Sequence, residues 1–273
     1  LIVLAGLCSL FFMGCGASSD ELISDLVTAE NARTRLLAQS EIVKLGAGGI
    51  EVFARLLDFP TVRNLYEIQV PHERLAEMTD EDIMRDVNDI RITAVRGIAA
   101  IGSVAAVQPL IDAAYLPQSQ TEKPGEPISI GEDELSLELA AEFRSEVMTA
   151  LGQLPFASEE EREKAIDLFS YGANDPSPRV RVSTAGSLAA LRLYESGYFL
   201  KQLAEDEATA VRAAAFRAIN DIGNHYIEHA KKSLSIGDEK TAELDRKNLK
   251  TLQESVFQHC LAALEDDEPS VRI

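Results

Sequence analysis

Tryptophan is absent from this 273-residue chain, and cysteine and histidine are scarce, at three and four residues. Three cysteines cannot build a disulfide scaffold. Four histidines leave little material for a histidine-based metal site, and no cofactor is expected. Basic residues are outnumbered: 26 Lys+Arg stand against 45 Asp+Glu, a net charge of −19 and a pI near 4.6. A nucleic-acid binder carries a basic stripe, so the balance disfavours nucleic acid as a partner, and electrostatic docking on anionic lipid as well. Aromatics are only 6% of the chain although hydrophobic residues are 46%. A core is therefore available, but an aliphatic and Ala-rich one, which suits helices. No Ser/His/Asp order, Gly-rich phosphate loop or CxxC pair is present. Gly46–Gly49 lacks the Lys-Ser/Thr and the preceding strand of a phosphate loop.

What the chain does contain is an internal repeat. Asp175–Leu191 matches Glu205–Gly223, with Arg181 and Arg212 31 residues apart. Further copies centre on Arg91 and Arg35, and a degenerate one runs from Ala140 to Gly152. With the Arg position as zero, and Ala141 holding it in the degenerate copy, position +7 reads Ile42, Ile98, Met148, Leu188 and Ile219. Position +10 reads Leu45, Ile101, Leu151, Leu191 and Ile222, and position −1 reads Thr34, Ile90, Ala140, Val180 and Val211. Positions −1, +3, +7 and +10 share one helical face. Position +3 is small in Ala38, Ala94 and Ala215, which permits close helix approach. Position +11 is Gly46, Gly102, Gly152, Arg192 and Gly223, and glycine there suits a helix C-cap. A second apolar helix follows at Gly49–Asp58, Ala105–Ala113, Ala165–Phe169 and Tyr198–Leu203.

Helix, short turn, helix, acidic cap and Val-Arg together resemble HEAT repeats, especially the short bacterial kind with a period near 30. The resemblance covers most of residues 29–273. It implies an all-α, right-handed α-solenoid of about five two-helix units and the start of a sixth at Val271-Arg272. The uneven repeat spacing places extra chain in residues 58–88, in 115–134 as an exposed Pro/Gly loop, and in 231–250 as an extended or inserted helix. The last interval, Arg212 to Arg272, could also hide one further unit.

The resemblance also assigns the repeated Arg and Asp residues. Arg35, Arg91, Arg181 and Arg212, with Asp89, Asp175 and Asp206 near the helix starts, are expected to form a structural ladder between neighbouring units. Glu268 stands in the same way before Arg272. The acidic residues also suit helix N-termini, where the dipole favours negative charge. His72-Glu73 is the one dipeptide shared with the di-iron deoxyhypusine hydroxylases, which use several such pairs. His225 and His229 lie one turn apart and are weak metal candidates without a visible third ligand.

Residues 1–19 carry no charge, and Leu1–Met13 is an apolar run of signal-peptide length. It ends in Phe12-Met13-Gly14-Cys15, which resembles a bacterial lipoprotein signal. That resemblance implies cleavage after Gly14, a lipid on Cys15 and a small flexible tether over Gly16–Ser19. Cys8 is a weaker candidate, and a single transmembrane anchor is the alternative. The organisation expected is a signal peptide over 1–14, a tether and first helix over 15–28, and the repeat array over 29–273. Leu1 in place of Met and a helix opening at Glu268–Ile273 suggest a chain cut at both ends.

The expected function is a non-catalytic protein-interaction scaffold, lipid-anchored in the bacterial cell envelope, with a protein or peptide partner of basic character. The alternative is an enzyme on the same scaffold, a metal-dependent hydroxylase or a lyase like the bilin lyases that use these repeats.

Overall fold

The computed structural model describes residues 17–115, 133–156, 159–192, 194–266 and 268–271. Among them the regular elements are all helical and no strand occurs. The α-helices are α1 (Ser19–Val27), α2 (Ala32–Val43), α3 (Ala47–Ala54), α4 (Phe59–Gln69), α5 (His72–Leu75), α6 (Asp80–Ile101) and α7 (Val107–Tyr115). They continue as α8 (Glu134–Leu151), α9 (Glu159–Ala173), α10 (Pro178–Leu191), α11 (Gly197–Ala204), α12 (Thr209–Ser235) and α13 (Glu239–Ala263). Cys8, Cys15 and Arg272 fall outside the described residues, as does most of the 115–134 loop. No described helix is long and apolar enough to cross a membrane.

Local chemistry starts these helices where they start. Ser18 with Glu21, Asn31 with Thr34 and Thr79 with Asp82 form reciprocal caps on α1, α2 and α6. Proline occupies the first turn of α4 and α10, where its missing N–H costs nothing. Burial then selects the arrangement. Ile42, Ile98, Met148, Leu188 and Ile219, the column at +7, are all buried, and so are Ala38, Ala94 and Ala215. Each fully buried Leu, Ile or Phe contributes about 1.5–3 kcal/mol of transfer free energy. The column at +10 is less uniform, since Leu151 and Ile222 are buried while Leu45 is exposed.

The helices form two layers. In the first, α2, α6, α8, α10 and α12 stack in chain order, each packed on the next. In the second, α7, α9, α11 and α13 follow one another, and α3 and α4 both lean on α6. One apolar cluster runs from Leu22 to Val271 without a break. The described chain is thus an all-α solenoid of helical repeats, in which each unit is covered by its neighbours.

Three expectations need correction. Gly102 and Arg192 cap α6 and α10 in the left-handed conformation, at φ 63° and 56°, whereas Gly46, at φ 58° and ψ −125°, stands outside it as the N-cap of α3, α2 ending at Lys44. Gly152 is right-handed, and Gly223 lies inside α12, so neither is a left-handed cap. Gly152 instead permits close approach: a Cβ there would sit 2.7 Å from the Ser187 Cα on α10. The further unit left open between Arg212 and Arg272 gives way to one lengthened hairpin, in which residues 231–250 extend α12 and begin α13, at 27 and 25 residues, with the turn at Gly237, as the extended-helix reading expects. Finally, Arg144 rather than position 141 carries the ladder in α8, one turn beyond the register of the apolar columns.

Candidate functional site

Three features hold the side chains marked by the sequence: a row of Arg–Asp pairs, a histidine pair and an apolar groove. The row repeats one geometry. Arg144 donates through Nε and Nη2 to both oxygens of Asp175, at 2.7 and 2.9 Å. Arg181 does the same to Asp206, at 2.7 and 2.9 Å, and Arg212 to Asp266, at 2.8 and 3.1 Å. Each acid also accepts the N–H two residues on, Ser177 for Asp175, Ala208 for Asp206 and Glu268 for Asp266, and the first two turns lead into α10 and α12. Each following Arg returns Nη1 to the carbonyl of its own acid, from Arg181 to Asp175 at 2.8 Å and from Arg212 to Asp206 at 3.0 Å. One aspartate thus fixes a turn, accepts the preceding unit's guanidinium and is followed six residues on by the next rung's Arg. The fork of the guanidinium suits this bidentate contact. The Arg181 rung joins the first turn of α10 to the turn that opens α12, and α8 and α10 run parallel, since Ser145 meets Ser183 and one turn on Ser187 donates to the Met148 carbonyl.

The row is uneven towards the N-terminus. Arg35 reaches Asp89 at 3.5 Å and Asp86 at 4.0 Å. Asp86 also accepts from the Tyr66 hydroxyl at 2.6 Å and from Arg74 at 3.1 Å. Burial and that hydrogen bond push the Tyr66 hydroxyl up to about 12. Burial also pushes Asp89 up, against the pull of Arg35. Arg91 makes no such rung. It is buried, donates from Nε to the Leu57 carbonyl at 2.7 Å, and lies 3.7 Å above the Phe143 ring centroid. Burial holds its guanidinium below its ordinary value. An aromatic face takes the place of the next unit's carboxylate.

The repeat columns reveal neither Arg144 nor Asp266, and they point to Glu268 where Asp266 serves. The signal that finds Asp266 is a six-residue interval, common to Asp175/Arg181, Asp206/Arg212 and Asp266/Arg272.

The histidines are dispersed. The rings of His225 and His229 stack at 5.8 Å on α12, and His229 Nδ1 meets Asp245 Oδ2 of α13 at 2.7 Å. Burial, aided by Arg192 and His229, holds His225 below its ordinary value. His259 Nδ1 contacts Glu205 at 3.1 Å, and His72 opens the four-residue α5. Among the described residues no group of three metal-ligating side chains stands together.

The groove lies between α12 and α13, at the end of the layered stack. A cavity of about 470 Å³ is lined by Ile219, Asn220, Gly223, Leu249, Val256 and Phe257, among others. A second, of about 290 Å³, adjoins it beside Phe216, Leu261 and Leu264. Phe257 is 55% exposed and Leu264 57%. Cys260 lines both cavities, half-buried, and burial pushes its thiol up, away from a nucleophile's range. The groove can hold apolar side chains and offers no catalytic group.

No family model and no curated protein matches the chain. Among solved structures it is similar to a computationally designed armadillo repeat protein for modular peptide recognition, at 15% identity. That match covers 85% of this chain and 98% of the other, with a TM-score of 0.31. It is similar also to an engineered protein at 14% identity, covering 92% of this chain and 75% of the other, with a TM-score of 0.30.

Proposed function

We propose that the chain is a non-catalytic scaffold that binds proteins, held at a bacterial cell envelope through a lipid on Cys15. The observation that carries the protein-binding part is the α12–α13 groove, an open apolar channel with Phe257, Leu261 and Leu264 on its rim. Exposed aromatic and aliphatic side chains beside a cavity suit a helix laid in a groove. The net charge of −19 favours a basic partner on the remaining surface. The lipid reading rests on the uncharged residues 1–19 and on Gly14-Cys15.

The test is a pull-down from envelope extract with the chain beginning at Ser18, which keeps every described helix. The expected result is a protein captured by the wild type and lost with Phe257→Glu. Capture indifferent to Phe257→Glu, or of nucleic acid alone, contradicts the reading. For the anchor, palmitate incorporation into the full chain should vanish in Cys15→Ser.

A further inference from the structure

We propose that residues 70–79, which carry α5, form a strap that holds the first rung of the row open. While Arg74 keeps the Asp86 carboxylate, Arg35 lacks it. Release of the strap lets Asp86 swing to Arg35 and fasten α2 to α6. This device stands apart from the groove and from whatever binds there.

A closed rung uses one edge of the guanidinium. In Arg144, Arg181 and Arg212, Nε and Nη2 take both oxygens of a carboxylate at 2.7–3.1 Å. In Arg35 that edge is unfilled. Its Nε is buried and has no hydrogen-bond partner among the described residues, and its Nη2 stands 4.0 Å from Asp86 Oδ1. The contact with Asp89, at 3.5 Å, is made by Nη1 and leaves the edge as it is. A buried donor without an acceptor is costly, so something must hold Asp86 elsewhere. Two groups do. The Tyr66 hydroxyl of α4 donates to Oδ2 at 2.6 Å, and Arg74 of α5 donates to the same oxygen at 3.1 Å. The acid of a closed rung sits in a turn, but α6 begins at Asp80, so Asp86 lies on a continuous helix. Its side chain must rotate to reach either set of partners.

Of the two holders, Arg74 is the one able to leave. Tyr66 is fully buried, whereas the Arg74 side chain is 29% exposed. Helix α5 has four residues, none of them buried, and no side chain caps its start at Pro71. Half-buried Leu75 and Met78 are its apolar footing. A segment so short and so little buried opens locally at low cost. Once Arg74 is gone, Asp86 keeps one neutral donor, the Tyr66 hydroxyl. Against it stands the buried Arg35 cation, whose unfilled edge offers two charge-assisted hydrogen bonds. The carboxylate goes to the cation. Strap and first rung thus exclude each other. Drawing α5 outward tightens α2 on the stack, and seating α5 loosens it.

The test is native-state hydrogen exchange of the purified chain carrying Arg74→Ala. Amides of α2 should exchange roughly threefold to tenfold more slowly than in the wild type, because the freed Asp86 closes the rung. The same substitution in an Asp86→Asn background should leave α2 exchange unchanged, since no carboxylate is then released. Faster exchange of α2 in Arg74→Ala overturns the proposal, because Arg74 would then support the boundary. Equal exchange overturns it too, because Asp86 would then stay where it is. Slowing that survives Asp86→Asn also overturns it, because another group would be filling Arg35. Circular dichroism checks the fold, and Arg74→Gln, which keeps most of the side chain without its charge, takes the place of Arg74→Ala if that variant unfolds.

Discussion

Arg181 holds the carboxylate of Asp206 through Nε and Nη2, at 2.7 and 2.9 Å, while its Nη1 donates to the Asp175 carbonyl at 2.8 Å. One side chain therefore joins the turn that opens α10 to the turn that opens α12. The same device recurs at Arg144–Asp175 and Arg212–Asp266, and burial grades it, from a fully enclosed Asp175 to a partly exposed Arg212.

That gradient sets the cost of breaking each rung. Asp175→Ala strands a buried guanidinium and should cost about 3–5 kcal/mol. Asp266→Ala leaves Arg212 able to reach water and should cost about 1–2 kcal/mol. Urea denaturation of the two variants measures both. Equal losses would mean that burial does not govern the rungs.

Arg91 obeys a different rule, because its plane lies on Phe143 instead of pairing with the next unit. Arg91→Met keeps an apolar filling and should cost under about 2 kcal/mol. Arg91→Lys buries a compact, strongly hydrated charge and loses the stacked plane, so it should cost more. Thermal melts of the two variants compare them, and Lys performing better than Met would contradict the stacked arrangement.

Gly152 and Gly223 share a repeat position but not a role. A Cβ on Gly223 meets the Leu249 Cδ1 at an ordinary 3.8 Å, inside a continuous helix. Gly223→Ala should stabilise the fold by about 1 kcal/mol. On Gly152 the added carbon collides with the Ser187 backbone, so Gly152→Ala should destabilise by about 1–3 kcal/mol. Melting temperatures should move in opposite directions.

These residues show what the sequence makes legible. Buried +3 and +7 columns are read directly, because period 3.6 places them on one face and burial selects apolar types. Asp175, Asp206, Arg181 and Arg212 are marked for the same reason of repetition. Arg144 escapes because its ladder position slips one turn while the apolar columns stay in place. Gly223 misleads because a glycine suits both a helix end and a helix that continues. Phe257 and the groove leave no pattern, since a groove depends on how α12 and α13 diverge in space.

His225 gives the fold a dependence on pH. Its folded pKa lies below the ordinary value of about 6.5, because of burial, Arg192 and His229. The unfolded chain then binds more protons in this range, so stability rises with pH there. This contribution is complete above the ordinary value and is lost as pH falls toward the lower folded one. Asp245, which acts in the opposite sense, limits the effect. In denaturation series between pH 7 and pH 5, His225→Gln should reduce the slope relative to wild type. An unchanged slope would contradict this assignment. The capping carboxylates Asp82, Asp133 and Asp238 are held below their ordinary value by hydrogen bonds to Thr79, Ser136 and Thr241. Their share of stability is lost only at lower pH, in the acid range.

The central claim is that each layer is stable through its neighbours, tied by the rungs. Native-state hydrogen exchange on Asp206→Asn tests it most directly. Loss of protection concentrated in α10, α12 and α13, with α2 and α3 still protected, is the predicted result. An equal loss in every helix, α2 and α3 included, would instead describe a single all-or-none core and contradict the account.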